Sequence, residues 1–277
     1  MATTNPLPPL GAKLGGGKAA DVHAWGGEMA VKLYHPDAPN RRIEAEARNS
    51  QVLHAAGLPV PCFFEHVEIA GRRGSVFERI EGRSISASLQ INPLRLLRLA
   101  REFADVHRFI HRTERSELPS VADNLRRVIA AVSVLTAAQR DKLITLLESL
   151  PSGSSVCHFD FHPSNVMLSP RGPVVLDWGS ARSGNPLADV ARTCVLFATD
   201  HLSAPVSAVA KIWNNAFART YLRGYFDGAT QTRDELERWI TILAAAKLRK
   251  AGAGEVPVLM RLVERGLAVK AVPISSP

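Results

Sequence analysis

Residues 156–168 read VCHFDFHPSNVML, and residues 174–180 read VVLDWGS. Two histidines, an aspartate, a proline and an asparagine are set here between apolar runs, where polar groups are costly unless they are hydrogen-bonded or used. The runs NVML and PVVLDW, separated by SPRG, read as a small hairpin. Asp160 and Asn165 lie five positions apart on its way in, and Asp177 ends its second arm. One carboxylate and one amide, as in Asp177 and Asn165, supply hard oxygen ligands that can hold Mg2+ against the phosphates of a nucleotide. Asp160 is then free to accept a hydroxyl proton. A zinc reading through His158 and His162 lacks a further set of ligands.

Working outward, residues 13–80 read as β-rich with one helix. VHAWGGEMAVKLY alternates and turns at Gly26-Gly27, a hairpin signal. PNRRIEAEARNSQVLHAAG follows with good helix formers and Gly57 as its stop, and LPVP breaks the chain. CFFEHVEIAGRRGSVFERI is a second hairpin around 71–74, after which EGRSIS reads as a short connection. From about residue 92 the period becomes helical, with Asn92 as N-cap and Pro93 at the first helical position. Helical patterns recur at 121–133, 136–149, 186–198, 204–225, 232–250 and 255–269. The expected architecture is α+β and bilobal: a small β-rich lobe over 1–80, a hinge near 78–83, and a larger, mostly helical lobe over 81–277.

The bulk numbers agree with a globular chain of two lobes. There are 277 residues, 46% apolar and 22% charged. MATTNPLPPLGAK has no apolar core of a secretory signal, no run is long enough to span a bilayer, and Cys62, Cys157 and Cys194 lack metal-like spacing. A cytoplasmic protein with reduced thiols and no membrane partner is the expectation. The net charge of +8 raises the question of nucleic acid. The densest arginines, Arg95, Arg98, Arg101, Arg108, Arg112 and Arg115, are interrupted by Glu102 and Asp105 and share a segment with the apolar stripe Leu96, Leu99, Phe103, Val106 and Ile110. They read as a solvated helix face, with no nucleic-acid-binding motif beside them.

Two more stretches carry chemistry. LGGGKAADV (14–22) places Gly15, Gly16 and Gly17 before Lys18 and Ala19, a turn whose backbone N–H groups can approach phosphates. A plain hairpin turn is the simpler reading of those glycines. A Walker A loop is excluded, since it would need glycine in place of Ala12 and Ser or Thr in place of Ala19. Lys32 in MAVKLY lies in a strand buried on at least one face, and a buried ammonium needs an anion. The next helix offers Glu44 and Glu46. Glu46 shares a face with Asn49, Ser50 and Leu53, and is the favoured partner.

A Gly-rich turn, a strand lysine, a helix glutamate, H-x-D-x-x-x-x-N and D-W-G, in that order, are the parts of a phosphotransfer site. The chain resembles the aminoglycoside phosphotransferase/choline kinase-like family, with its protein-kinase-like fold. HFDFHPSN is similar to the family's H-G-D-x-H-P-x-N, and VVLDWGSARSGNPLADVAR to its I-D-W/F-x-x-A…G-x-P-x-x-D-x-A segment; GLPVP after the first helix also matches. The likeness covers about residues 13–200. It implies Asp160 as catalytic base, Asn165 and Asp177 as Mg2+ ligands, and Lys32 paired with Glu46 on the α/β-phosphates of ATP or GTP. It also implies a phosphate cover from 15–19, an adenine-binding hinge at Glu78, Arg79 and Ile80, and His158 and Asp189 as braces of the catalytic loop. Two positions depart from the pattern: Phe159 stands where the family has glycine, and Lys18 lies inside the Gly-rich turn.

Nine residues separate Gly179 from Asp189, with no A-P-E sequence, so the segment with which protein kinases dock polypeptides is missing. The acceptor expected is therefore a small hydroxyl compound, an antibiotic or a metabolite, gripped by the helices after 200. A protein acceptor and a non-catalytic nucleotide-binding scaffold are the alternatives. From 195 to 277 there are 7 acidic residues against 11 Lys and Arg. That balance disfavours a polycation, although Asp200, Asp227, Glu235 or Glu255 could still build a local acidic pocket.

Overall fold

The computed structural model describes residues 8–17, 19–199, 207–228 and 232–268. Two compact units divide the chain. One takes the residues up to Ala87 and, from far along the sequence, Ser164–Ser180. The other takes Ser88–Pro163 and the chain from Ala181 onward.

The first unit is built on an antiparallel five-stranded sheet of order β1-β2-β3-β5-β4. Its strands are β1 (Leu10–Gly16), β2 (Ala20–Trp25), β3 (Met29–Tyr34), β4 (Phe63–Ile69) and β5 (Arg72–Glu78). Gly26 and Gly27, both at positive φ, make the β2–β3 turn and set Lys32 opposite Val22. β3 has a neighbour on each side, and Ala30, Val31, Leu33 and Tyr34 are buried on it, so both faces of this central strand are covered. Helix α1 (Asn40–Ala55) buries Ile43, Glu46, Ala47, Asn49, Ser50 and Leu53 at helical spacing. It stops at Gly57, whose φ of 78° is the left-handed conformation that glycine supplies at a helix end.

A second sheet in the same unit has order β6-β8-β9: β6 (Arg83–Ser84), β8 (Val166–Ser169) and β9 (Gly172–Val175). The expected hairpin is therefore present. The segment 81–86, read as a mere connection, instead supplies β6 and the start of helix α2 (Ile85–Ile91). A two-residue strand is too short to show a period, and its partner, Leu168, lies more than eighty positions away.

The second unit is helical. Asn92 caps a short 3-10 turn (Pro93–Arg95), and α3 (Leu96–His111) begins three residues later than the capping signal suggests. It is followed by α4 (Val121–Ala130), α5 (Ala137–Ser149), α6 (Pro186–Thr199), α7 (Ala208–Tyr225), α8 (Arg233–Lys247) and α9 (Val256–Ala268). The short strands β7 (Ser155–Cys157) and β10 (Arg182–Gly184) pair with each other. Capping boxes start α5 at Thr136 and α8 at Thr232. α3 packs on α7, α6 on α8, and α8 on α9. The core is aromatic: Phe103 stacks on Phe161 at 4.2 Å between ring centres and also meets Phe197, Phe217 and Tyr221. Such rings dominate core energetics through their buried area.

Candidate active site

In the first unit the site begins at Lys32. Its Nζ lies 2.6 Å from Glu46 Oε1 and 3.3 Å from Asp177 Oδ1. Tyr34 Oη donates to Glu46 Oε2 over 3.1 Å. Burial works to lower the Lys32 pKa, but the two carboxylates outweigh it and hold the ammonium above its ordinary value. Burial pushes Glu46 up, with Lys32 opposing. The lysine stays charged and fixed in a low-dielectric setting, where a cation acts on phosphate oxygens more strongly than in water. Glu44 lies elsewhere, exposed, with Arg73 and His66 as its partners.

Asp177 is reached from the end of β9. Leu176 N–H donates to Asn165 O over 2.8 Å, the rung after the Val166–Val175 pair, so the Asn165 backbone faces Leu176, one residue before Asp177, at the open end of the hairpin. Asp177 has φ of 61° although it is not glycine. A side chain in the left-handed region costs about 1–3 kcal/mol and persists where the surroundings fix it. Here Trp178 does so: it is buried, its Nε1–H donates to Val175 O, and its carbonyl accepts from Asn49 Nδ2 of α1. Arg42, one turn before Glu46, has Nη2 3.8 Å from Asp177 Oδ2.

The glycine turn lies at the end of the β1–β2 hairpin. Gly17 N–H donates to Ala20 O, and Lys13, Leu14, Gly15, Gly16, Gly17 and Asp21 line an open hollow of 570 Å³. Ala19 follows in a bend, and Lys18 lies outside the described residues. Asp21 ties the hairpin down through Lys13 at 2.7 Å and Arg72 at 3.3 Å, and its carboxyl is held at about 2, chiefly by the Lys13 hydrogen bond. Glu78, Arg79 and Ile80 line a 640 Å³ cleft with Met29, Cys62 and Arg171. The Glu78 and Arg79 N–H groups are engaged by Cys62 O and Glu28 O, and the Glu78 carboxylate by Arg171 at 2.6 Å.

Asp160 stands in the second unit, on a loop that α6 grips at successive peptides. Asp189 accepts the N–H groups of His158 and Phe159, the latter over 2.8 Å. Arg192 Nε donates to Phe159 O over 3.2 Å, and Thr193 Oγ1 to Phe161 O over 2.9 Å. The Asp160 N–H donates to His158 Nδ1. Phe159 has φ of 63°, a conformation that glycine adopts without steric cost; Arg182 lies over its ring, 6.0 Å from the centre. Arg192 Nη2 is 3.9 Å from Asp160 Oδ1. Sequence reasoning named Asp189 but missed Arg192 and Thr193, whose positions three and four along the same helix were the available signal. His158 and His162 belong to no group of three metal-ligating side chains among the described residues.

The sequence profile of the phosphotransferase enzyme family matches residues 16–247. The chain belongs to this family. No curated protein matches it by sequence. Among solved structures, an aminoglycoside-3'-phosphotransferase of type VIII is similar at 21% identity and TM-score 0.61, over 87% of this chain and 94% of that one. An ADP-bound aminoglycoside phosphotransferase APH(2'')-Ib follows at 15% identity and TM-score 0.55, over 95% and 93%. A choline kinase from Cryptosporidium parvum matches at 12% identity and TM-score 0.54, over 94% and 88%. Family and fold together make this chain a phosphotransferase-family protein with a protein-kinase-like fold.

Proposed function

We propose that the protein transfers the γ-phosphoryl group of ATP, or of GTP, to a hydroxyl of a small molecule, with Mg2+. The Lys32–Glu46–Asp177 cluster carries this reading: it fixes a charged, half-buried lysine beside a carboxylate at the end of a hairpin. Asn165 and Asp177, hard oxygen donors on the two arms of one hairpin, fit Mg2+, which would neutralise the charge on the phosphate oxygens. Lys32 holds the α/β-phosphates, the 15–19 backbone covers them, and the main chain at 78–80 meets the base. Asp160 orients the acceptor hydroxyl and takes its proton. The hydroxyl oxygen bonds to the γ-phosphorus, the bond to the bridging β–γ oxygen breaks, and the nucleoside diphosphate leaves.

The acceptor we favour is neutral or weakly basic, an antibiotic or a metabolite. In the C-terminal helices Glu237 pairs with Arg265 at 2.7 Å, Glu255 with Lys247 at 3.0 Å, and Glu235 is spent on the cap of α8. Those carboxylates are committed to the fold and are poor partners for a polycation. A small acceptor is supported by the chain between Asp177 and the start of α6 at Pro186, which holds only a 3-10 turn and β10. A cytoplasmic setting is part of the proposal; the three cysteines are unpaired, and among the described residues no helix is long and apolar enough to cross a membrane.

Mass spectrometry of hydroxylated antibiotics, amino alcohols and sugars incubated with the protein, Mg2+ and ATP or GTP tests the proposal. A compound gaining one phosphate, with the gain lost in Asp160→Asn while nucleotide binding persists, is the expected result. Failure to bind either nucleotide overturns it.

A further inference from the structure

Deep in the second unit, His107 and His111 sit one turn apart on α3, and both Nε2 atoms point at Asp189 Oδ2, at 3.1 and 3.3 Å. Tyr221 Oη lies 2.8 Å from His107 Nδ1, and Tyr225 Oη 2.7 Å from His111 Nδ1. His107, Asp189 and Tyr221 are wholly buried, and His111 and Tyr225 nearly so. An ionised carboxylate only accepts, so each histidine must carry its proton on Nε2. Each Nδ1 is then an acceptor, and each tyrosine O–H donates into it. Burial, reinforced by the neighbouring His111, drives the His107 pKa down to about 3, which keeps the ring neutral and the tautomer defined. A cation bound between these groups would have to strip both Nε2–H donors from the carboxylate.

Asp189 thereby accepts four N–H groups, two from imidazoles and two from the peptide of the loop that carries Asp160. Without the imidazoles the carboxylate could rotate about its own side chain. With them, its two oxygens are held in the plane that suits the His158 and Phe159 amides. We infer that His107 and His111, each locked in one tautomer by a tyrosine hydroxyl of α7, are positioning residues that fix Asp189 and through it the Asp160 loop. The inference rests on the reading of Asp160 as the base. It goes beyond that reading in giving two tyrosine hydroxyls and two helix histidines control of the rate, with His107 also stacking directly on Phe161 of the loop at 4.0 Å between ring centres.

The decisive variant is Tyr221→Phe with Tyr225→Phe, which keeps both rings and removes only the two hydroxyls. Amide hydrogen exchange of the peptide over 158–161 is the readout that needs no substrate. We expect it to speed up about tenfold, while the helices exchange as in the wild type, with kcat down about 5–50-fold and the nucleotide KM within about twofold, as befits one or two lost hydrogen bonds to a charged network. His107→Gln, which can still offer an N–H to Asp189, should recover most of the rate that His107→Leu loses. Unchanged exchange at 158–161 in the double variant overturns the inference, as does loosening of the whole helical unit in step with it. If the wild type turns over no acceptor, the functional reading fails, and the exchange result alone still decides whether the hydroxyls hold the loop.

Discussion

Lys32 Nζ and Glu46 Oε1 lie 2.6 Å apart, joining the middle of β3 to the buried face of α1. Removing the charge from one member of such a pair leaves the other uncompensated in a low dielectric. Glu46→Gln should weaken nucleotide binding by about tenfold, corresponding to about 1.4 kcal/mol of lost positioning of Lys32. Glu44→Gln, on the exposed pair with Arg73, should change it by less than about twofold. Calorimetric titration of ATP and GTP into both variants checks the contrast.

Gly82 has φ of 130°, and a Cβ there would lie 2.1 Å from Leu168 O. The carbonyl is backbone and has nowhere to yield. Gly82→Ala should destabilise the protein by about 2 kcal/mol or more, read as a fall in the urea midpoint. A midpoint equal to the wild type would show that the β6–β8 approach is looser than described.

The β4–β5 turn has the opposite character. Ala70 (φ 49°) and Gly71 (φ 74°) form a tight hairpin turn with both central residues left-handed, and Ala70 is exposed. Asparagine tolerates that conformation far better than alanine. Ala70→Asn should stabilise the protein by about 0.5–1 kcal/mol, seen as a higher thermal midpoint with activity unchanged.

Protonation of His107 opposes folding. Its pKa of about 3 in the fold lies below the ordinary value of 6.5. The unfolded chain therefore binds the extra proton across that window, so stability is full above about pH 6.5 and falls as the pH drops towards 3, by about 1.4 kcal/mol per unit. Asp189, held below the usual carboxylate range chiefly by His107 despite its burial, adds a loss below its ordinary 3.8. Urea midpoints from pH 7 to 4 should fall more steeply for the wild type than for His107→Gln. Parallel slopes would remove the assignment.

Much of this was legible in the chain because the chemistry is dense and local. The β2–β3 turn announces itself in Gly26-Gly27, the β8–β9 hairpin in SPRG, and the choice of Glu46 over Glu44 follows from which residues share its helix face. What the sequence hid is long-range. β6 has two residues and acquires meaning only from its partner in β8. His107 and His111 look like polar interruptions of an amphipathic stripe until the fold brings Asp189 and two tyrosines to them. The positive φ at Phe159 could not be read from residue type, since an aromatic side chain seldom adopts it, whereas Asp177 is of a type that tolerates it.

The grip of α6 on the loop has a cost for adaptation. α6 holds the 158–161 backbone through Asp189, Arg192 and Thr193, and its other side packs on α8. Asp160, clasp and the helix behind them are therefore tied together. On the proposed function, a substitution on α8 that retunes what the C-terminal helices admit also moves the carboxylate proposed as base, so in this chain a change of diet and a change of pace are inherited together.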